Sequence, residues 1–271
     1  MLALVTGASS GIGYEISKYL SELGYDIIAV ARDEEKLSRL KKECKTNVEI
    51  YLADLSKQDN IVNLYNSVKD KDIEILVNNA GFGAFGEFEE IDFDFQMKMI
   101  DVNVRALHAL TYMFLKDMKK KDKGYILNIG SVAGFMPGPL MSEYYATKAY
   151  VLRLTQSIYK ELKKQNSKVH ICVCCPGPVN TNFNSVANVK FSLKAKTSKY
   201  VAKRAIDGMF KKKEIICPGI SEKLIKLSRK IFSDKILAEV AYHVQSKKRW
   251  EKVKKSPFLF MPKLYINIDK T

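Results

Sequence analysis

The sequence predicts an α/β protein built on a doubly wound parallel sheet. Two observations carry that prediction. Short apolar runs alternate along the chain with segments of helical periodicity, the pattern of consecutive β-α-β units. The apolar runs also lack polar alternation, as expected of strands covered on both faces. A length of 271 residues suits one large α/β domain or two small ones. With 46% apolar and 28% charged residues, the composition is that of an ordinary folded chain.

In chain order, Leu2–Thr6 is a first apolar run that leads into glycines. Ile12–Leu23 has helical spacing at Ile12, Ile16, Tyr19, Leu20 and Leu23, and Gly24 is placed to stop it. Asp26–Ala31 reads as a second strand and Glu34–Glu43 as a polar helix with Leu37 and Leu40 inward. Val48–Ala53 is a third strand, Ile61–Val68 lies on a third helix, and Ile73–Asn78 is a fourth strand. Farther on, Gly124–Gly130 and Lys168–Cys174 read as strands flanking a long helix over Tyr144–Lys164. Ser198–Phe210 is a helix and Glu214–Cys217 a last short strand. No internal repeat or linker interrupts residues 1–217, which read as one domain, with 218–271 as a C-terminal extension.

Several function classes recede. No basic segment, apolar core and cleavage site precede the first strand, and no run reaches the ~18 apolar residues of a spanning helix, so a cytoplasmic location is expected. Cys44, Cys172, Cys174, Cys175 and Cys217 lack the paired loop spacing of a metal cluster and read as small buried hydrophobes, so no metal is expected. His108, His170 and His243 are scattered. The net charge of +15 reads as a lysine-rich solvated surface, and no nucleic-acid-binding motif accompanies it.

Thr6-Gly7-Ala8-Ser9-Ser10-Gly11-Ile12-Gly13 joins the first strand to the first helix. Gly7 permits the tight turn, Gly11 lets the backbone approach a pyrophosphate, and Gly13 lets helix and strand pack closely. The helix N-terminus then offers N–H groups to phosphates, which makes Gly7, Ser9, Ser10, Gly11, Ile12 and Gly13 candidate dinucleotide contacts. An acidic residue ending the second strand would bond a ribose 2′-OH and repel a 2′-phosphate. Here the strand ends in Ala31-Arg32, and a guanidinium suits a phosphate, so NADP(H) is favoured over NAD(H). Asp33 either opens the next helix or weakens that site.

Tyr144 and Lys148 stand at i and i+4 on the long helix, hence on one face. A nearby ammonium would favour the phenolate and bring the tyrosine into a usable range for proton transfer. Tyr145 is the second choice. Ser131 ends the preceding strand 13 residues before Tyr144, at the carboxyl edge where α/β sheets hold ligands. Asn78-Asn79-Ala80-Gly81 closes the fourth strand at the same edge.

Together, Thr6–Gly13, Asn78–Gly81, Asn103, Ser131, Tyr144, Lys148 and Pro176-Gly177 resemble the short-chain dehydrogenase/reductase family in order and spacing, across about residues 1–217. The resemblance implies a Rossmann-like single domain with a seven-stranded parallel sheet. It implies hydride transfer between a nicotinamide and a ketone or secondary alcohol, with Tyr144 as acid/base and Ser131 positioning the carbonyl. Lys148 would lower the Tyr144 pKa and bond the nicotinamide ribose, and Asn103 would hold a water of the proton relay. Asp54 and Leu55 would lie at the adenine, Asn79, Ala80 and Gly81 along the cofactor wall, and Pro176, Gly177, Val179 and Thr181 at the carboxamide. One departure is Ser10, where many NADP-preferring members carry a basic residue. Within the family the chain is similar to a branch that includes relatives of hydroxysteroid and long-chain ketoacyl reductases. A non-catalytic NADPH sensor or scaffold on the same fold is the competing class.

Substrate-contacting side chains are expected from Val132, Phe135, Met136, Pro137, Leu140 and Met141, and from the apolar residues of 181–198, namely Phe183, Val186, Val189, Phe191 and Leu193. Both stretches suit a hydrophobic small-molecule ketone or alcohol. A homodimer or homotetramer is expected. Between Ser221 and Lys255 there are 11 Lys/Arg against 4 Asp/Glu, with apolar residues at helical spacing from Leu224 to Val244. These helices could form a lid on the substrate side, an oligomer interface, or a peripheral contact with an anionic membrane.

Overall fold

Strand β1 (Leu2–Thr6) is covered on both faces: Ala3, Leu4 and Val5 have no exposed surface. Its parallel neighbours are β2 (Asp26–Ala31) on one side and β4 (Ile73–Asn78) on the other. The chain is seen in a computed structural model that describes residues 1–181 and 195–246. Seven strands form one sheet in the order β3-β2-β1-β4-β5-β6-β9, with β3 at Val48–Leu52, β5 at Tyr125–Ile129, β6 at His170–Cys174 and β9 at Ile215–Ile216. Every pairing in it is parallel. The strand order reverses between β1 and β4, which opens a crevice beyond the carboxyl ends of those strands.

The side-chain alternation of each strand feeds two cores. Ala3, Val5, Ile27, Ala29, Ile75, Val77, Leu127 and Cys172 face one layer. There they meet Ile16 and Leu20 of α1 (Gly11–Glu22), Leu37 and Leu40 of α2 (Glu34–Glu43), and Val201, Ala205 and Met209 of α7 (Ser198–Phe210). Leu4, Ile28, Val30, Leu76, Ile126 and Ile171 face the other layer. That layer is closed by α3 (Gln58–Val68), α5 (Leu107–Lys121) and α6 (Ser142–Lys164). The doubly wound sheet predicted from the sequence is present, and the cysteines Cys172, Cys174 and Cys175 are buried and free of disulfides.

Element boundaries move by a few residues from the sequence reading, and one region is new. Helix α4 (Phe93–Ile100) runs through a π-helical turn at Asp101–Ala106 into α5. A short parallel pair, β7 (Val179–Asn180) with β8 (Lys196–Thr197), follows β6. Beyond β9 the extension forms α8 (Ile220–Ile231) and α9 (Asp234–Ser246). Helix α8 packs against the turn at Val132–Phe135 that follows β5. Among the described residues no helix is long and apolar enough to cross a membrane.

Candidate active site

The loop after β1 is shaped by close approach. Gly7 adopts φ +66°, a conformation that favours glycine. A Cβ on Gly7 would lie 2.8 Å from Asn79 Nδ2 and 2.9 Å from Ala80 Cα, and one on Gly11 would lie 2.9 Å from Thr181 Cγ2. Gly13 is tighter still, against Gly7 O and the Asn79 amide. Asn79 clamps this arrangement by donating from Nδ2 to Thr6 O at 3.0 Å and to Gly7 O at 3.1 Å. Helix α1 begins with Ser10 in an extended conformation that makes no side-chain cap, and no acidic residue occupies the first turn. Its leading N–H groups therefore favour an anion. Gly7, Ser9, Ser10, Gly11, Ile12 and Gly13 thus lie together on the tight turn that opens α1.

At the end of β2, Arg32 is exposed. Asp33 takes the first of the two roles open to it. Its carboxylate caps α2 by accepting from Lys36 N at 3.0 Å and pairs with Lys36 Nζ at 2.6 Å. The Lys36 side chain, then its backbone N–H, hold the Asp33 carboxyl below its usual pKa. Asp54 follows β3. Burial pushes its pKa up, but hydrogen bonds from Ser56 N at 3.1 Å and Oγ at 2.9 Å, with the Arg32 charge, bring it down overall. Leu55 beside it is buried.

The strands β4 and β5 deliver the second half of the site. Ser131, 8% exposed, sits just past β5, accepts from Ala133 N at 3.1 Å and donates to Pro176 O at 3.4 Å. Lys148 is buried on α6 and donates from Nζ to Ile129 O at 2.9 Å. Its Nζ lies 5.8 Å from the centroid of the Tyr144 ring and 3.5 Å from the position of a Cβ on Gly81. Ser131, Tyr144 and Lys148 therefore converge on one edge, beside the wall formed by Ala80 and Gly81. Tyr145 is turned to the extension, where its hydroxyl receives a hydrogen bond from Gln245 Nε2 at 2.6 Å.

Burial pushes the Tyr144 phenol up to about 12, and the hydrogen bond with Ser131 only partly opposes this. Burial also lowers Lys148 to about 8. In both groups the loss of water on burial disfavours the charged form.

The Asn103 side chain is fixed by three hydrogen bonds. Its side chain accepts from Phe82 N at 3.0 Å and donates to Phe82 O at 2.8 Å and to Thr147 Oγ1 at 3.1 Å. It ties the segment after β4 to α6. Asn103 lies within the π-helical turn, a backbone irregularity found often at functional sites.

Pro176 and Gly177 follow β6, Val179 is buried in β7, and Thr181 lies against Gly11. Gly177 N donates to Glu222 Oε1 at 3.2 Å. Glu222 is 1% exposed and forms an ion pair with Lys196. Sequence reasoning missed Glu222 and Gln245, because a polar residue in a basic helix carries no signal of burial. Of the expected substrate-side residues, Phe135 and Met141 are core, Val132, Met136 and Leu140 are half-buried, and Pro137 is exposed. Phe183, Val186, Val189, Phe191 and Leu193 lie outside the described residues.

A glycine-rich turn at the sheet's switch point, with a Ser-Tyr-Lys cluster at the same sheet edge, is the arrangement of a nicotinamide-dependent oxidoreductase. The family model described as short chain dehydrogenase matches residues 1–190. An uncharacterized oxidoreductase of Staphylococcus epidermidis is 36% identical over 182 residues, 66% of this chain and 78% of that protein. The 3-oxoacyl-(acyl-carrier-protein) reductase of Rickettsia prowazekii is 33% identical over 191 residues, 69% of this chain and 76% of that one. A short-chain dehydrogenase from Sphingobium yanoikuyae, solved in complex with NADPH, has a TM-score of 0.76 at 27% identity and covers 94% of this chain and 98% of its own. The chain belongs to the short-chain dehydrogenase family and is an oxidoreductase.

Proposed function

We propose that the protein is an NADPH-preferring reductase of hydrophobic ketones, with Tyr144 as the proton donor to the carbonyl oxygen. The observation that carries this reading is the convergence of Ser131, Tyr144 and Lys148 beside Gly81. The nicotinamide supplies the hydride when bound. Ser131 orients the substrate oxygen by hydrogen bonding, and Tyr144, whose pKa of about 12 keeps it protonated at neutral pH, donates to that oxygen. Lys148, cationic below about pH 8, holds the ribose and restores the proton through groups near Asn103. Asn103 itself positions the wall after β4 and the start of α6.

Support for NADPH comes from the end of β2. Arg32 is exposed where a ribose 2′-substituent would lie, and Asp33 is occupied as a helix cap by Lys36. Asp54 and Leu55 then face the adenine side. Support for a hydrophobic substrate comes from the half-buried Val132, Met136 and Leu140 beside Ser131. Relatives of the chain include the 7β-hydroxysteroid dehydrogenase of Clostridium sardiniense, 31% identical over 170 residues, besides the oxoacyl reductase. Steroid and long-chain ketoacyl ketones are the two substrate classes to try first.

The test is NADPH oxidation against aliphatic, aromatic, steroid and ketoacyl ketones. Tyr144→Phe should lower turnover by about 10²–10⁴-fold, the range for loss of a general acid, with NADPH affinity nearly unchanged. Tyr145→Phe should remain active, because its hydroxyl serves Gln245. An inactive Tyr145→Phe beside an active Tyr144→Phe would reverse the assignment. Tight NADPH binding without turnover of any ketone would favour the sensor class.

A further inference from the structure

Helix α8 is mounted with its apolar stripe outward. Ile220, Leu224, Leu227 and Ile231, at spacings of four, three and four residues, share one face. They are 76%, 60%, 49% and 66% exposed. The inward face holds Glu222, tied to Gly177 and Lys196, and the partly buried Ile225. The stripe itself faces away from the site, while the opposite face of α8 packs on the turn that follows β5. Helix α9 extends the exposed surface: Leu237 and Ala241 are buried, whereas Ile236, Val240 and Val244 remain outside.

Charge tells what covers this face. Lys223 and Lys230 flank the stripe on one side, with the half-buried Lys226 and the exposed Arg229 farther round the helix. None of the four is in an ion pair among the described residues, and the one acidic side chain of α8, Glu222, is buried and already paired. The chain continues the excess in sequence, with Lys247, Lys248, Arg249, Lys252, Lys254 and Lys255 against Glu251. A second copy docked stripe to stripe would bring these cations together, and like-charge juxtaposition is costly. An anionic lipid surface accepts both the apolar stripe and its cationic flank.

We propose that α8 docks the protein onto anionic phospholipid bilayers, with Ile220, Leu224, Leu227 and Ile231 in the interface and Lys223 and Lys230 among the headgroups. The helix lies on the surface and does not span it. The contact is independent of the catalytic reading, since none of these side chains belongs to the site.

Co-sedimentation of the full chain with phosphatidylcholine vesicles, with and without phosphatidylserine, tests this. Wild type should sediment only with the anionic vesicles and be released at high salt. Removing one buried Leu costs about tenfold or more, so L224D with L227D should abolish sedimentation while circular dichroism and thermal midpoint stay unchanged. Each Lys at the surface is worth about fivefold, so K223Q with K230Q should weaken binding about 25-fold. Absence of sedimentation at low salt overturns the proposal. So does binding that survives L224D with L227D. A wild type without vesicle affinity whose size in solution falls in L224D with L227D also overturns it and assigns the stripe to a second copy.

Discussion

Replacing Lys148 with methionine should stabilise the cofactor-free protein while removing its activity. The Lys148 ammonium is buried at 5% exposure and its pKa falls from 10.5 to about 8 because burial disfavours the charge. A shift of that size corresponds to about 3 kcal/mol of unfavourable burial, at 1.36 kcal/mol per unit. Methionine fills similar space without charge but abandons the charged hydrogen bond to Ile129 O, worth about 1.5–3 kcal/mol. The net gain at pH 7 is at most about 1.5 kcal/mol, a rise in thermal midpoint of up to roughly 3–4 °C for a chain of this length. Below about pH 8 the lysine is charged in both folded and unfolded chains, so the whole penalty is present. Between about pH 8 and 10.5 the unfolded chain binds the extra proton, so wild-type stability rises with pH and the advantage of Lys148→Met shrinks. Urea unfolding of both proteins at pH 7 and pH 10 measures this. A variant less stable than wild type at pH 7, or a difference that is the same at both values, refutes the desolvation argument.

Arg32→Ala should weaken NADPH binding by roughly 10- to 150-fold, the worth of a hydrogen bond to a charged group, and leave NADH almost unchanged. Titration by cofactor fluorescence reads this, and a wild type that binds both cofactors equally removes the role of Arg32. Gly13→Ala would drive a Cβ into Gly7 O and the Asn79 amide, costing about 1–3 kcal/mol of stability and displacing the phosphate loop. Thermal unfolding and NADPH affinity should both fall, and a variant normal in both would show that the loop tolerates the methyl.

The main frame was legible because local signals coincide with global ones. Apolar runs such as Leu4-Val5 and Ile27-Ile28 announce strands buried on both faces, and Gly7, Gly11 and Gly13 mark a turn that few residues other than glycine permit. Tyr144 and Lys148 are fixed relative to each other by helix geometry alone, and Ser131 is brought to them by the parallel register of β5 and β6. The segment from Phe93 to Lys121 was not legible. Its π-helical turn at Asp101–Ala106 changes the helical repeat midway, so no single 3.6-residue period runs through it.

The sequence alone determined the sheet, the glycine cradle and the one helical face that carries Tyr144 and Lys148, since each depends on residues close along the chain. Only the tertiary structure decided three other things. Asp33 went to the α2 cap because Lys36 meets it there. The Tyr144 phenol is pushed up because burial, a property of the assembled fold, outweighs the hydrogen bond with Ser131. Helix α8 turned its apolar stripe to solvent because Glu222 is held inward by Gly177 N and by Lys196, 26 residues back along the chain. Periodicity identifies the faces of a helix, but which face is buried depends on partners that the fold brings from elsewhere.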